Sequence, residues 1–183
     1  MSDSSKSAPV VLKRVTLAKT RLFHVEGVSL RFSNGVEVDY ERLSSSSGGA
    51  VLVVPMLDRD TVLLIREYAA GVERYELALP KGRVEPGEDI LQAANRELME
   101  ETGYAAKQLE LLTFFTLAPS YLNHVTHVVL AQDLYSQKRL GDEPEEIEVI
   151  PWQLSRLTEL LAHPECTEAR SIAALFLVRD RLG

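Results

Sequence analysis

Cysteine is nearly absent: the 183 residues hold one, Cys166. No intramolecular disulfide can form, which excludes a cysteine-stapled scaffold and suits a reducing, cytoplasmic setting. The stretch around it, HPECTEAR, brings no histidine at a spacing diagnostic of a thiol nucleophile, so Cys166 reads as a small packing side chain. Positive charge is also thin and scattered. Lys and Arg number 20 against 27 Asp and Glu, the net charge is −7, and basic residues never run longer than two. A duplex-binding surface needs clustered cations, so no nucleic-acid polymer is expected as a partner. A small anionic nucleotide is compatible if a metal bridges the repulsion. Long apolar runs are missing too. AVLVVPML falls far short of the roughly 20 residues of a membrane helix, and the polar MSDSSKSAP contains no hydrophobic signal segment. These absences lead us to expect a soluble cytoplasmic protein, with no membrane partner and one well-packed domain plus a small appendage.

What is present is a mixture of strand and helix patterns, which predicts an α+β fold with helices on a mixed sheet. Residues 1–14 read as a flexible N-terminus. Residues 15–43 hold a β-hairpin over 22–42: VSLRF alternates, Asn34-Gly35 suits a type I′ turn, and VEVDYE alternates again. The alternation changes phase at Gly27, which predicts a bulge there. SSSSGG, residues 44–49, reads as a flexible connector. The main domain runs over 50–183. Its strands are predicted at AVLVVPML, TVLLIRE, YELALP, LELLTFFTLA and THVVLAQDL, with a short strand after the acidic loop GDEPEEIEV. Helices are predicted over 88–102, over WQLSRLTELLA opened by Pro151, and over 167–182. An isolated hairpin is marginal in water, so residues 22–42 must pack on their own chain or on a second copy.

The helix over 88–102 carries RELMEE, residues 96–101. Positions i, i+3 and i+4 share a helix face, so Glu97, Glu100 and Glu101 stack together. On an exposed helix each such pair costs about 0.2–0.5 kcal/mol. Leu91, Ala94 and Leu98 form an apolar arc about 100° around the helix from Glu97, by the helical period, which sets the glutamates at the edge of the buried face. Three carboxylates there make sense as a hard-cation site for Mg²⁺. No Asp-x-Asp-x-Asp-Gly loop occurs, so an EF-hand is excluded.

The flank turns this into a specific pattern. Gly82 is followed by five residues and Glu88, then by seven residues and Arg96-Glu97-Leu98-Met99-Glu100-Glu101-Thr102-Gly103-Tyr104. This resembles the box of the Nudix hydrolases, Gly-x5-Glu-x7-Arg-Glu-U-x-Glu-Glu-x-Gly-U with U aliphatic. Every fixed position matches, and Tyr104 at the last U is the one departure. The resemblance implies a Nudix fold, a mixed sheet sandwiched by helices with a loop–helix–loop metal site, and metal-dependent cleavage of a nucleoside diphosphate linked to another moiety. It implies Glu97, Glu100 and Glu101 as ligands of Mg²⁺ (or Mn²⁺), a backbone carbonyl near Lys81 or Gly82 as another, and Glu88 with Arg96 as a brace of the loop.

Outside the box, Pro119 lies 15 residues after Tyr104, as in the ADP-ribose pyrophosphatase-like subgroup. In that subgroup an N-terminal sheet packs across a homodimer and helps to build the adenine pocket. Segments such as YELALPKG, LAPSYLNH, QDLY, GDEPE and EARSIAALFLVRD resemble a bacterial branch acting on ADP compounds. This implies ADP-ribose, NADH and diadenosine polyphosphates as substrates, with release of AMP. Two departures stand out: His124 replaces a glutamate common after the proline, and Ala69 stands where an arginine is common. Arg66, Arg74 and Lys81 are the alternative phosphate contacts. Tyr68, Tyr75 and Tyr121 are candidates to stack on adenine, with Pro119 nearby in sequence. Glu143, Glu145 and Glu146 occupy the acidic loop, where a glutamate of the family acts as base or extra ligand; Glu145 and Glu146 are the candidates. The rival reading is a Nudix-fold sensor that binds a nucleotide without cutting it.

Overall fold

The computed structural model describes residues 7–44, 48–141 and 144–183. Strands are β1 (Val10–Lys19), β2 (His24–Arg31), β3 (Glu37–Ser44), β4 (Ala50–Pro55), β5 (Thr61–Ala69), β6 (Arg74–Ala78), β7 (Lys81–Arg83), β8 (Tyr104–Thr116), β9 (Leu122–Asn123), β10 (Val125–Ser136) and β11 (Glu148–Gln153). Helices are α1 (Ile90–Thr102), α2 (Leu157–Leu161) and α3 (Ala169–Leu182), with a 3₁₀ turn at Leu154–Arg156. The chain divides into two units: Met1–Ser47 with Thr116–His124, and Gly48–Phe115 with Val125–Gly183.

The first unit is a four-stranded sheet in the order β1-β2-β3-β9. It is wider than the 15–43 hairpin, because β9 joins it from far along the chain. Residues 10–14, expected in a flexible terminus, belong to β1 and pair with β2 from Val10↔Arg31 onward. The β-branched residues of VVLKRVT favour that extended path, and the interspersed Lys13 and Arg14 hid it. Residues 1–6 lie outside the described chain. β2 and β3 pair without interruption from His24↔Ser44 to Arg31↔Glu37, so Gly27 is not a bulge. The register shifts fall on β1, between Val11 and Lys13 and between Thr16 and Ala18. Gly27 serves close packing instead: a Cβ there would lie 3.0 Å from Val15 Cγ2. The hairpin turn also differs from type I′. Gly35 takes a left-handed φ of 84° while Asn34 does not, and Gly35 N donates to Phe32 O at 2.9 Å. One left-handed glycine after a right-handed turn closes this loop.

Of the connector 44–49, residues 45–47 lie outside the described chain. Gly48 and Gly49 are far from loose. They hold φ of 121° and 72°, and a Cβ would meet Val84 O at 2.9 Å and Val125 O at 2.6 Å. Glycine is required here because two backbones press together.

The second unit contains a mixed sheet, β7-β4-β10-β8, and a three-stranded sheet, β11-β5-β6. β4 runs parallel to β10 and antiparallel to β7. The unbroken apolar run of β4 follows from burial on both faces. Val51 and Val53 pack with Ala93, Ala94 and Leu98 of α1. Leu52 and Val54 pack with Leu157 and Leu160 of α2 and with Ala174, Leu175 and Val178 of α3. Each buried Val or Leu contributes about 1.5–3 kcal/mol, so one cluster fixes α1 against one face of the strand and the other fixes α2 and α3 against the opposite face. Cys166 is buried in the second cluster, as its packing role required.

Two helix starts differ from expectation. Pro151 opens no helix: with Trp152 it lies in β11, opposite Leu63 and Val62 of β5. β11 is an edge strand, where a residue without an N–H is tolerated, and helix begins only after Gln153. In α1 the first helical residue is Ile90. Asp89 is the N-cap, its carboxylate accepting from Leu91 N at 2.9 Å and Gln92 N at 3.3 Å, and Glu88 stands outside the helix. Among the described residues no helix is long and apolar enough to cross a membrane.

Candidate active site

α1 ends at Gly103, whose φ of 76° is the left-handed cap conformation and whose N–H donates to Met99 O. The packing of Ala93, Ala94 and Leu98 against β4 sets the rotation of the helix. That rotation buries Glu97 and Glu101, at 8% and 6% exposure. Buried carboxylates need partners, and the structure supplies them.

Arg96 is the hub. Its guanidinium donates to Glu88 at 2.9 and 3.0 Å, to Glu97 at 2.7 Å, to Glu100 at 3.0 Å and to Arg83 O at 2.9 Å. The two parallel bonds to Glu88 are the bidentate pairing that makes arginine–carboxylate contacts strong. They hold the Glu88 carboxyl below its ordinary range, helped by a bond from Glu85 N. The expected brace between Glu88 and Arg96 is thus a physical tie from the 81–88 segment to α1.

Gly82 lies directly under Glu97. A Cβ at that position would fall 2.0 Å from Glu97 Cδ and 2.1 and 2.2 Å from its oxygens. Only glycine lets this carboxylate rest against the β7 backbone. Next to it, Lys81 N donates to Glu101 Oε2 at 2.8 Å. Burial pushes the Glu101 carboxyl up to about 8. The Lys81 charge and backbone N–H pull the other way, and Glu67 and Glu97 add to the rise. Glu101 also lines a cleft, the kind of place where shifted carboxyls gather at functional sites.

The acidic loop meets the same helix. Glu100, Glu101, Lys138, Arg139, Glu145 and Glu146 line one cavity of about 460 Å³. Glu145 accepts from the Tyr75 hydroxyl at 2.8 Å, which raises the Tyr75 pKa. Glu146 pairs with Lys138 at 3.0 Å, which lowers the Glu146 pKa. Glu143 lies outside the described residues.

The expected phosphate contacts are otherwise engaged. Arg66 makes a bidentate pair with Glu165 at 2.9 and 2.8 Å, reaches Glu148 at 3.5 Å, and lies 4.8 Å over the Tyr75 ring. Arg74 is tied to Glu76 at 2.6 Å and to Thr167 at 2.9 Å. Lys81 Nζ pairs with Glu67 at 3.1 Å. Tyr68 and Tyr75 form an edge-on aromatic pair, 5.5 Å between centroids. Pro119, Tyr121 and His124 belong to the first unit; Tyr121 is exposed and its carbonyl accepts from Leu43 N. Lys138 and Arg139 were missed by sequence reasoning. Their signal was the dipeptide Lys-Arg standing just before the acidic loop.

The donor chemistry suits a hard divalent cation: three carboxylates on one helix face, two of them nearly buried, beside a glycine backbone. Among the described residues no group of three such side chains already stands at metal-binding separation. The carboxylates are turned to Arg96, to Arg139 (3.0 Å from Glu100) and to the Lys81 amide. The residues fit a divalent cation in kind, as hard oxygen donors on one helix face beside the Gly82 backbone.

Comparison with known proteins identifies the family. The NUDIX domain model matches residues 47–176, and the model of the NudE-type Nudix hydrolase N-terminal domain matches residues 9–42. The chain is 47% identical over 180 residues to the ADP compounds hydrolase NudE of Escherichia coli K12, covering 98% of this chain and 96% of that one. It is 31% identical over 170 residues to the ADP-ribose pyrophosphatase of Bacillus subtilis 168, covering 90% and 91%. A solved structure described as an ADP compounds hydrolase superposes with a TM-score of 0.90 at 47% identity, over 97% of this chain and 96% of that chain. Nudix hydrolases generally depend on a divalent cation. With the box intact and both family models matched, this chain belongs to the Nudix hydrolase family.

Proposed function

We propose that this enzyme hydrolyses the pyrophosphate bond of ADP-containing compounds (ADP-ribose, NADH and diadenosine polyphosphates) and releases AMP, with Mg²⁺ as its cation and Mn²⁺ as a substitute. One observation carries the reading. The cavity at the end of α1 joins Glu100 and Glu101 of the box to Glu145 and Glu146 of the acidic loop, which supports a shared space for cation ligands and a proton acceptor. The relatives named for ADP compounds and ADP-ribose support the substrate class.

Glu97, Glu100 and Glu101 would hold the cation, with the backbone carbonyl near Gly82. When bound, it supplies Lewis-acid neutralisation of the diphosphate oxygens and a more acidic water. Arg96 and Glu88 keep the 81–88 segment fixed to α1, so the ligands on both sides stay in register. Glu145 or Glu146 takes the proton of the attacking water as its oxygen bonds to phosphorus. The anhydride P–O bond breaks and AMP leaves.

The first unit supports a homodimer. Among its described residues Val28 is the one buried hydrophobic, while Val10, Val11, Leu12, Val15 and Leu17 of β1 are exposed. A sheet with so little core of its own needs cover, and a second copy would provide it. The single cysteine supports a cytoplasmic setting.

The test is a panel of ADP-ribose, NADH, diadenosine polyphosphates and nucleoside triphosphates, each with Mg²⁺ and with Mn²⁺, reading AMP release. Cleavage of the ADP compounds in preference to triphosphates is expected. Tight nucleotide binding with no turnover on any of them would overturn the proposal and favour the sensor.

A further inference from the structure

Two cations on the cavity wall have no part in the reading above. Lys138 and Arg139 follow β10, and their backbone is stitched across the end of α1: Gln137 N donates to Gly103 O at 2.9 Å and Arg139 N to Met99 O at 3.2 Å. Met99 O also takes the cap bond from Gly103 N, so the segment and the cap meet at one carbonyl. The main chain is therefore fixed to the helix that carries the glutamates. The side chains are not fixed in the same way. Arg139 is 56% exposed and pairs with Glu100 at 3.0 Å; Lys138 is 69% exposed and pairs with Glu146 at 3.0 Å.

Arg139 differs from the other guanidinium groups discussed. Arg96 is 11% exposed and spread over five bonds. Arg66 is locked bidentately on Glu165, and Arg74 on Glu76 and Thr167. Releasing Arg66 would cost Glu165 both of its guanidinium bonds, releasing Arg96 would cost Glu88 both of its own, and releasing Arg74 would leave Glu76 on Thr167 alone. Glu100, in contrast, keeps Arg96 when Arg139 leaves, and a divalent cation would replace Arg139 with a stronger partner. The guanidinium would then stand free on the wall of a cavity that receives a diphosphate, for which its planar fork is the matching donor.

We propose that Arg139 is the residue that anchors the substrate's diphosphate: it pairs with Glu100 in this structure and passes to the phosphate oxygens when a divalent cation takes Glu100. The inference rests on the hydrolase reading above. It makes cation and substrate binding mutually supportive, since each relieves the ion pair that opposes the other.

The test uses the full-length Arg139→Ala and Arg139→Lys proteins. Mn²⁺ affinity is titrated without nucleotide, the affinity for the non-hydrolysable α,β-methylene analogue of ADP-ribose is measured with Mg²⁺, and kcat and KM are read on ADP-ribose. Arg139→Ala should bind Mn²⁺ a few-fold more tightly, because a weak competitor for Glu100 is gone. It should bind the analogue about tenfold more weakly, with a similar rise in KM, because a charge-assisted donor is lost; Arg139→Lys should recover part of that loss. Opposite signs for metal and nucleotide cannot come from general damage to the site, which would weaken both. Unchanged or weaker Mn²⁺ binding, or unchanged analogue affinity, overturns the proposal. If the wild-type chain cleaves no ADP compound, the hydrolase reading fails, while the two titrations still decide the role of Arg139.

Discussion

Gly82→Ala isolates the geometry at the centre of the site. The added methyl carbon would stand 2.0 Å from Glu97 Cδ, where carbon atoms pack at about 3.5–4.0 Å. Gly82 lies in β7, paired with Val51, and has no left-handed φ, so alanine itself fits the backbone. The carboxylate is what must move, by roughly 1.5 Å if contact is to return to that range. This breaks the 2.7 Å bond from Arg96 to Glu97, a charge-assisted bond of about 1.5–3 kcal/mol. Arg96 keeps Glu88 and Glu100, so the net loss of stability should be near 1–2 kcal/mol, or roughly 2–8 °C in Tm for a chain of this size. Activity should fall much further. A ligand misplaced by an ångström or more costs about a hundredfold, so kcat/KM for ADP-ribose should drop at least that much at fixed Mg²⁺. The assay is AMP release across a Mg²⁺ titration beside a thermal melt of the same protein. Glu97→Gln supplies the control: in the Gly82→Ala background it should add almost nothing, because both changes remove the same contact. A Gly82→Ala enzyme that works at a near-normal rate, or a double variant whose losses simply add, would refute the reasoning.

Glu101 makes the cation-free protein sensitive to pH. Its folded carboxyl is raised to about 8 from an ordinary 4.5, so the folded state favours the proton. That contribution is complete below pH 4.5 and disappears as pH rises through about 8. Urea unfolding in chelator should therefore show stability falling between pH 5 and 8.5, Glu101→Gln should flatten that fall, and a flat wild-type profile would contradict the assignment. Glu101→Gln should also lower kcat by at least about a hundredfold in saturating Mg²⁺ while keeping the fold, because a neutral amide is a poor ligand. One of Glu145→Gln and Glu146→Gln should cut kcat much more than it raises KM, with His124→Ala doing less; if both loop glutamates can be changed together within a few-fold of normal kcat, the base is elsewhere. Sedimentation at tens of micromolar, a concentration at which an interface of standard size holds, should give a dimer. Val15→Lys with Leu17→Lys on β1 should split it, and a monomeric wild type would end that proposal.

By itself the sequence determined the family, because box residues are set by covalent spacing along one short loop and one helix. Glu97, Glu100 and Glu101 must share a face at 3.6 residues per turn, whatever surrounds them. The caps were local too: Gly103 ends α1 because it alone takes a left-handed φ cheaply, and the continuous apolar run of β4 announced burial on both faces. The first strand was hidden because Lys13 and Arg14 look like a solvated tail until β2 lies beside them. Pro151 reads equally well as a helix opener and as an edge-strand residue, and only the pairing with β5 chose between them. Gly48 and Gly49 looked like part of a flexible connector because the sequence does not show which backbones press on them. The same limit applied to the arginines. Nothing in the sequence shows that Arg66 meets Glu165, that Arg74 meets Glu76 or that Arg139 meets Glu100 on the cavity wall; folding alone brings these pairs within reach. Contacts between residues tens of positions apart depend on how the sheets and helices stack, and that is a property of the packed core alone.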